Sequence, residues 1–448
     1  MKIYRYSFKA LLIFNFLIFV RALSYSQEVP PHPTSRDSSA VNLSDSLSSA
    51  RTLSASLWKI KSGEINDLIA EDIVDHVKIL PNVFSLDLGS TGQFSPLIFR
   101  AATLQEGSVL IDDLIFEDPI NGFLNSNIVP INFVEGIVYQ GAGAFAPFGV
   151  QALSGAFQVN TFHFKGSQPY SKVILRAGDF GYSDIGVIFG LPVTQSISFL
   201  IGGNRQEFDG FTFNAGHGGS RIHAKILYNP NEDFSMKYSA FSNKDKVEIP
   251  APLLPDLVPA TPNGKRKENR LDHIFSLKLG NLLQNNNQFQ GKIFISRLLQ
   301  ETSGDSLLFK NRNISFGIGL QHNLIAGNHW FTFGGEIKLH DLNSARLGDR
   351  SDSIGHVFVR DVYRFVKNWA LGIQARLEKH DDYSIALQPS GQLSYEVSPL
   401  STLWFAVQSA RRYPSFAERY WPTQVFRGDP NLIEEKGTAF EIGFRMNK

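Results

Sequence analysis

The stretch GAGAFAPFGVQALSGAFQVNT, residues 141–161, holds the first residues whose spacing could do chemistry. Gly141-Ala142-Gly143-Ala144-Phe145-Ala146 has the GxGxxA spacing of a dinucleotide-binding turn and follows the apolar run FVEGIVY. Such a turn holds a pyrophosphate only where it opens a helix, with an acid about 20 residues later for the ribose. Here Pro147, Phe148 and Gly149 follow at once, no acid comes before Asp179, and the chain passes into a second strand-like run, GAFQVNT. The context excludes the dinucleotide reading. Asp112-Asp113 and Asp381-Asp382 are of a type that serves acid–base work or calcium, but they fall in a turn and in a loop. His217 and His223 lack the company a metal site needs and read as satisfied or solvated histidines. No GxSxG or HExxH occurs. Lys265-Arg266-Lys267 lies in a long connection and reads as a solvated loop or a contact with lipid phosphate. No catalytic, cofactor-binding or metal-binding residue is expected, and the chain is not read as an enzyme.

Composition narrows the class. The chain has 448 residues with 43 basic and 42 acidic, so it lacks the basic surplus that a nucleic-acid partner favours. The absence of cysteine excludes disulfides, thiolate sites and a lipoprotein anchor. Phe and Gly, 37 each, lean the chain toward β structure. Residues 1–26 read as a signal peptide. Lys2, Arg5 and Lys9 precede ALLIFNFLIFV, which is too short to span a membrane as a helix, and Ser24 and Ser26 suit cleavage before Gln27. No later segment reaches the ~18 apolar residues of a membrane helix.

The elements that would position any site come in two styles. Residues 27–63 are Ser/Pro-rich and read as a periplasmic linker. Residues 64–165 read as a small mixed α/β domain. Its helix spans Glu64 to Leu80, with Ile65, Leu68, Ile69, Ile73 and Val77 on one stripe, stopped by Pro81. Short strands follow at Pro96 to Arg100 and Ser108 to Asp112.

From residue 166 strict alternation takes over, as in Ile222, Ala224 and Ile226 against Arg221, His223 and Lys225, or Leu371, Ile373 and Leu377 against Gln374, Arg376 and Glu378. It predicts about 14 strands of roughly 9–11 residues, apolar on one face and polar on the other. The connections alternate short (191–194, 229–233, 281–287, 398–401) and long (205–219, 243–270, 298–312, 341–355, 411–437). A soluble sandwich has no reason to gather its long loops at one end. A transmembrane antiparallel β-barrel does, with apolar residues toward lipid and short turns on the periplasmic side.

Ordered blocks of the sequence resemble the TonB-dependent outer-membrane receptors over about Glu71 to Lys448. The stretch 134–141 with 148–161 is similar to the end of that family's plug domain, verIEVlrGPaSalyGsgAlgGvInivT. Ile79 to Val83 resembles its rlPGV, Leu97 to Ala101 its IRG, and Val109 to Leu114 its vLiDGv. Arg412 to Tyr420 resembles R-x-PsfxElY, Gly428 to Glu435 resembles GNPnLkPE, and Phe440 to Gly443 resembles yElG. The resemblance implies an N-terminal plug, 64–165, within a barrel, 166–448. It makes Gly141, Gly149 and Gly155 turn glycines of the plug, where glycine allows tight turns and close strand approach. It also implies that a plug arginine, Arg100, pairs with the barrel glutamates Glu435 and Glu441. Gln140 stands where many relatives have a second arginine.

By resemblance the chain would be a monomeric outer-membrane receptor in contact with lipid, taking up a scarce small-molecule or metal-chelate nutrient: siderophore iron, haem, cobalamin or a glycan. TonB, with ExbB and ExbD behind it, would supply the energy. Ser39 to Leu43 is the nearest match to a TonB-pairing segment. A binding receptor without import and an outer-membrane barrel enzyme stand as alternatives. Family barrels have about 22 strands. About 14 are legible here, and alternation is still running at Phe440, Ile442 and Phe444. A C-terminally truncated barrel is therefore expected, its sheet open between 171–177 and 438–446.

Overall fold

The structure is a computed structural model. It describes residues 57–61, 72–77, 80, 82–85, 91–100, 102–112, 114–123, 131–141, 154–164, 166–250, 263–281, 287–304, 307–422 and 427–446. The signal-peptide reading of 1–26, the Ser39 to Leu43 segment, most of the 27–63 linker and Gly149 lie outside these residues.

The inner unit is built on a five-stranded sheet with the order β1-β6-β7-β4-β5. Its strands are β1 (Leu57–Lys61), β4 (Gly107–Ile111), β5 (Leu114–Ile115), β6 (Val134–Gly141) and β7 (Gly155–Thr161). β4 and β7 are parallel, and the other pairs are antiparallel. A two-stranded ribbon of β2 (Val83–Ser85) and β3 (Leu97–Phe99) and the helix α1 (Ile73–Val77) complete it. β1 corrects the linker reading, because the end of 27–63 is an edge strand on β6. The β6–β7 pair also disposes of the dinucleotide turn. Gly141 sits opposite Gly155 in an antiparallel pair, where a dinucleotide site needs the parallel strands of a βαβ unit. Gly155 has φ 143°, open to glycine but hard for a residue with a Cβ, and it lies between Gly107 and Gly141.

Fourteen strands form a second sheet, consecutive strands antiparallel throughout. They are β8 (Tyr170–Ala177), β9 (Ser183–Pro192), β10 (Ile197–Phe208), β11 (His217–Asn231), β12 (Phe234–Glu248), β13 (Lys265–Gly280) and β14 (Asn287–Gly304). The rest are β15 (Leu307–Ala326), β16 (His329–Ser344), β17 (Gly348–Val366), β18 (Trp369–His380), β19 (Ala386–Ser398), β20 (Ser401–Arg412) and β21 (Glu435–Met446). β8 and β21 end the order, so the sheet is open there among the described residues.

The faces are inverted relative to a soluble sheet. Ile222, Ile373, Val359 and Ile442 are exposed, whereas Arg221, Lys225, Lys292, Glu336, Arg376 and Glu378 are buried. Burying charge while exposing aliphatic side chains is unfavourable in water and favourable with lipid outside and a polar lumen within.

Strand length departs from the alternation reading. β14 has 18 residues, β15 20 and β17 19. The segments read as long loops at 298–312 and 341–355 are mostly strand, and Lys265-Arg266-Lys267 starts β13. Cross-strand polar pairs carry the ladder there. Lys310 lies 3.3 Å from Glu301, Lys267 lies 3.5 Å from the same carboxylate, and Asn343 Nδ2 donates to Asp349 at 2.5 Å. Beyond the hydrocarbon no apolar face is needed, so alternation ends before the hydrogen bonds do.

The inner unit meets strands near both ends of the sheet, since Asn132 bonds Arg176 of β8 and Asp184 of β9 and Arg100 bonds Glu441 of β21. Its core of Ile73, Val77, Phe99, Ile137, Tyr139 and Phe157 is continuous with Phe241, Ile274 and Phe294, which point inward from β12, β13 and β14. Phe116 meets the edge of Phe241 at 5.5 Å between centroids. Phe133 lies over Gly202 of β10, only 2.1 Å from where a Cβ would stand, so a larger residue would push the inner unit off the wall.

Candidate functional site

Three groups of charged residues join the inner unit to the wall. The deepest is at the end of β4, where Asp112 turns into the left-handed region, φ 48°. Asp tolerates this conformation better than most residues. Its carboxylate accepts from the Thr161 backbone N–H at 2.9 Å, from Thr161 Oγ1 at 2.6 Å and from Lys225 Nζ of β11 at 2.7 Å. Lys225 also donates to the Thr161 carbonyl at 3.0 Å. His223 lies 4.0 Å from Asp112, and its Nε2 is 2.9 Å from Ser239 Oγ. Burial works to raise the Asp112 pKa, but the ammoniums of Lys225 and Lys237 outweigh it and hold the carboxyl far below the usual range.

A second group sits past β5. The Glu117 carboxylate pairs with Lys338 of β16 and lies 3.6 Å from His340 Nε2. Burial favours the neutral acid, yet Lys338 and His340 hold the Glu117 pKa below its ordinary value. Arg270 of β13 donates to the Glu117 carbonyl at 2.9 Å, stacks 3.4 Å above the Phe116 ring and is paired with Asp272. Asp118 next door takes bonds from the Ile120 N–H, Asn121 Nδ2 and Gln300 Nε2 of β14, and burial pushes its carboxyl up.

The third group holds the arginine singled out by the sequence. Arg100 follows β3 with φ 53°, and its Nη2 donates to Glu441 Oε2 of β21 at 2.9 Å. Trp404 Nε1 donates to the other oxygen of Glu441 at 3.3 Å. Glu435 is a correction. Its carboxylate accepts from Arg412 of β20, opposite it in the ladder, at 2.8 and 2.5 Å. The same guanidinium holds Glu418 at 2.8 and 3.0 Å. Arg412 thus fastens the short helix α2 (Phe416–Tyr420), whose N-cap Ser415 makes a capping box with Glu418. Burial opposes ionisation of Glu418, and its bonds from Arg412 and Ser415 hold its pKa down. The Ala417 N–H of α2 then donates to the Ile120 carbonyl of the inner unit at 2.8 Å. The R-x-PsfxElY block is therefore a rim brace above the inner unit.

Asp112, Lys225, Glu117 and Lys338 were not singled out as contacts from the sequence. A signal for the wall side was present, because Lys225 and Lys338 interrupt strands on the inward phase, where a lone buried lysine needs a carboxylate. His217 and His223 are each held through one ring nitrogen, His217 Nε2 by Asp245 at 2.9 Å and His223 Nε2 by Ser239, while the Nδ1 of each is buried without a hydrogen-bond partner among the described residues. Asp382 meets Arg419 at 2.6 Å. Among the described residues no group of His, Cys, Asp or Glu is arranged to hold a metal ion.

Comparison with known proteins fits this geometry. The family description TonB dependent receptor-like, beta-barrel matches residues 156–448. The vitamin B12 transporter BtuB of Vibrio vulnificus is 20% identical over 420 residues, covering 87% of this chain and 64% of that protein. The chain thus spans about 64% of the length of the curated relative it matches. The siderophore receptor PirA of Acinetobacter baumannii superposes with TM-score 0.73 at 13% identity, covering 89% of this chain and 69% of that one. The haemophore receptor HasR of Serratia marcescens, solved with its haemophore and haem, gives 0.72 at 13% over 87% and 69%. At these identities the structures share the fold, and their different ligands are their own. An open antiparallel sheet with lipid-facing aliphatics and a charged inner face, matched to the family over more than half its length, places this chain in the TonB-dependent receptor family of the outer membrane.

Proposed function

We propose that the protein is an outer-membrane receptor that imports a scarce nutrient with energy passed on by TonB. The inner unit is its plug, with its boundaries at residues 64–165 apart from the added strand β1. The barrel is residues 166–448, and Arg100, Asp112 and Glu117 seat the plug. The observation that carries this reading is the buried ion-pair contact between the inner unit and a lumen-facing wall, Asp112 with Lys225 above all. Ion pairs with alternative hydration can be exchanged for water when a pull comes from the periplasm. Siderophore iron, haem, cobalamin and glycans are the nutrient classes in view, TonB with ExbB and ExbD the partners, and the chain makes and breaks no covalent bond. The test is capture of the 27–63 segment by the periplasmic domain of TonB, with radiolabelled uptake in cells with and without the gene. Capture and gene-dependent uptake are expected. Uptake that persists without TonB would overturn energised import, and binding without uptake would leave a receptor alone.

A further inference from the structure

Asp118 of the inner unit and Glu268 of β13 share one hydrogen-bond donor. Gln300 stands opposite Glu268 in the β13–β14 ladder, and its Nε2 donates to Asp118 Oδ2 at 3.0 Å and to Glu268 Oε2 at 3.3 Å. Two carboxyl groups on one amide nitrogen are close neighbours, and like charges so placed do not both ionise freely away from bulk water. Asp118 is buried and Glu268 half-buried. Asp245 of β12, opposite Glu268 on its other side, adds a third acid. The next rung pairs Lys267 with Glu301 on the outer face, so the joint lies beyond the hydrocarbon.

The donors are unevenly divided. Asp118 also accepts from the Ile120 N–H and Asn121 Nδ2, which suits an anion. Among the described residues the shared amide is the one hydrogen bond that Glu268 accepts. Most cations nearby are committed elsewhere. His217 and Arg221 of β11 hold Asp245, Arg270 is paired with Asp272, and Lys338 and His340 face Glu117. Glu248 of β12 faces Lys265, and Arg346 is stacked on Phe309 at 3.6 Å. Arg266 offsets part of the Glu268 charge, but no ion pair joins the two among the described residues. Burial, with Asp118 and Asp245 beside it, outweighs Arg266 and raises the Glu268 carboxyl to about 7. Among the described residues no set of ligands here is arranged to hold a metal ion, so a proton is what relieves the crowded acid.

We infer that Asp118, Gln300 and Glu268 form a proton-operated joint between the inner unit and the wall. With a proton on Glu268, one anion and one neutral acid meet across the shared amide. When that proton leaves for bulk water through the cleft these residues line, two anions face each other and the joint loosens. The inference goes beyond the import reading, because the joint titrates whether or not the chain imports anything. A carboxyl raised by docking adds holding strength that is complete below its free value of about 4.3 and is lost as pH rises to about 7. This joint therefore grips harder in mildly acid surroundings than at neutral pH.

The test uses the full chain in purified outer membranes, with wild type and Glu268→Gln compared at each pH between about 4.5 and 8.5. Protease protection of the inner unit is read as the ratio of the two, so that the protease's own pH response and the titrating groups common to both chains cancel. Protection of the wild type relative to Glu268→Gln is expected to fall as pH rises to about 7, by up to about tenfold per pH unit, and to stay level above it. A ratio that is flat, or that rises with pH, would overturn the inference. A second measurement needs no change at Glu268. In the wild type the infrared carbonyl absorption of a protonated carboxyl should persist at pH 6 and vanish by pH 8, and Asp118→Asn should move that loss to lower pH. No such titration, or a midpoint indifferent to Asp118→Asn, would equally overturn it.

Discussion

Asp112 and Lys225 meet at 2.7 Å with side chains 2% and 4% exposed, whereas Arg100 and Glu441 meet at 2.9 Å with side chains 28% and 12% exposed. Both inner-unit residues follow a short strand and take a left-handed backbone, φ 48° and 53°, at the point where the side chain leaves for the wall. The surroundings then diverge. Asp112 is satisfied by a backbone N–H, a hydroxyl and an ammonium, away from water and beside the middle of the sheet's first half. Arg100 reaches the last strand of the open sheet, where Glu441 is shared with Trp404. A left-handed conformation costs an arginine more than an aspartate, whose short polar side chain can bond locally. The comparison teaches that the seat matching the family motif is the weaker one, and that the strength lies where a buried carboxylate accepts three donors away from water.

The largest effect should come from breaking the deeper seat on one side. Lys225→Met leaves Asp112 buried without its ion-pair partner, which costs about 3–5 kcal/mol. The inner unit should lose protection from protease in purified membranes, while the wall's heat-resistant mobility on gels persists. Unchanged protection would remove the distinction between the two seats.

Next comes the contrast between the faces of the sheet. Ile373→Arg puts a charge among exposed lipid-facing aliphatics and should cost about 2–4 kcal/mol on refolding into vesicles. Gln374→Arg, one residue along and facing inward, should cost under about 1 kcal/mol by the same measurement. Equal costs would mean that the faces are wrongly assigned.

A smaller effect is expected at the shallower seat. Arg100→Ala or Glu441→Gln should change inner-unit protection by about 0–1 kcal/mol, the range for partly solvated pairs. Arg100→Gly should be no worse than Arg100→Ala, because glycine accepts the left-handed backbone. A loss at Arg100 as large as that at Lys225 would make the seats equivalent.

The smallest expected effect is a null one with a definite sign. The Asp112 pKa is depressed in the folded state, so its contribution is complete above the unfolded value of about 3.9 and fades only as pH falls through the lower folded value. The difference in protection between wild type and Asp112→Asn should therefore not shrink as pH falls from 8 to 5. A difference that shrinks within that window would show that the carboxyl is not held down by Lys225.

Much of the wall was legible because lipid and lumen impose opposite demands on alternate residues. Ile222 against Lys225, or Ile373 against Arg376, can be read from period two alone. Where those demands stop, legibility stops. The upper parts of β14 to β17 are held by pairs such as Glu301 with Lys310, and such pairs look like loop in a sequence. Phe241, Ile274 and Phe294 were hidden for the opposite reason, since they lie on the polar phase and are apolar only because the inner unit covers them. At the candidate site, Arg100 and Glu441 were reachable through motif order, while Glu435 went to Arg412, a cross-strand partner visible only once register is known. Asp112 was visible as a turn residue, but its partner lies 113 positions away, and one sequence carries no signal of that pairing beyond a lysine on the inward phase of β11.

The most direct test of the account is a double-mutant cycle on Asp112→Asn and Lys225→Met, read as protease protection of the inner unit in outer membranes. The account predicts that each single change loosens the inner unit strongly and that the double variant recovers most of the loss, because two neutral side chains leave no buried charge unpaired. Losses that simply add in the double variant would contradict it.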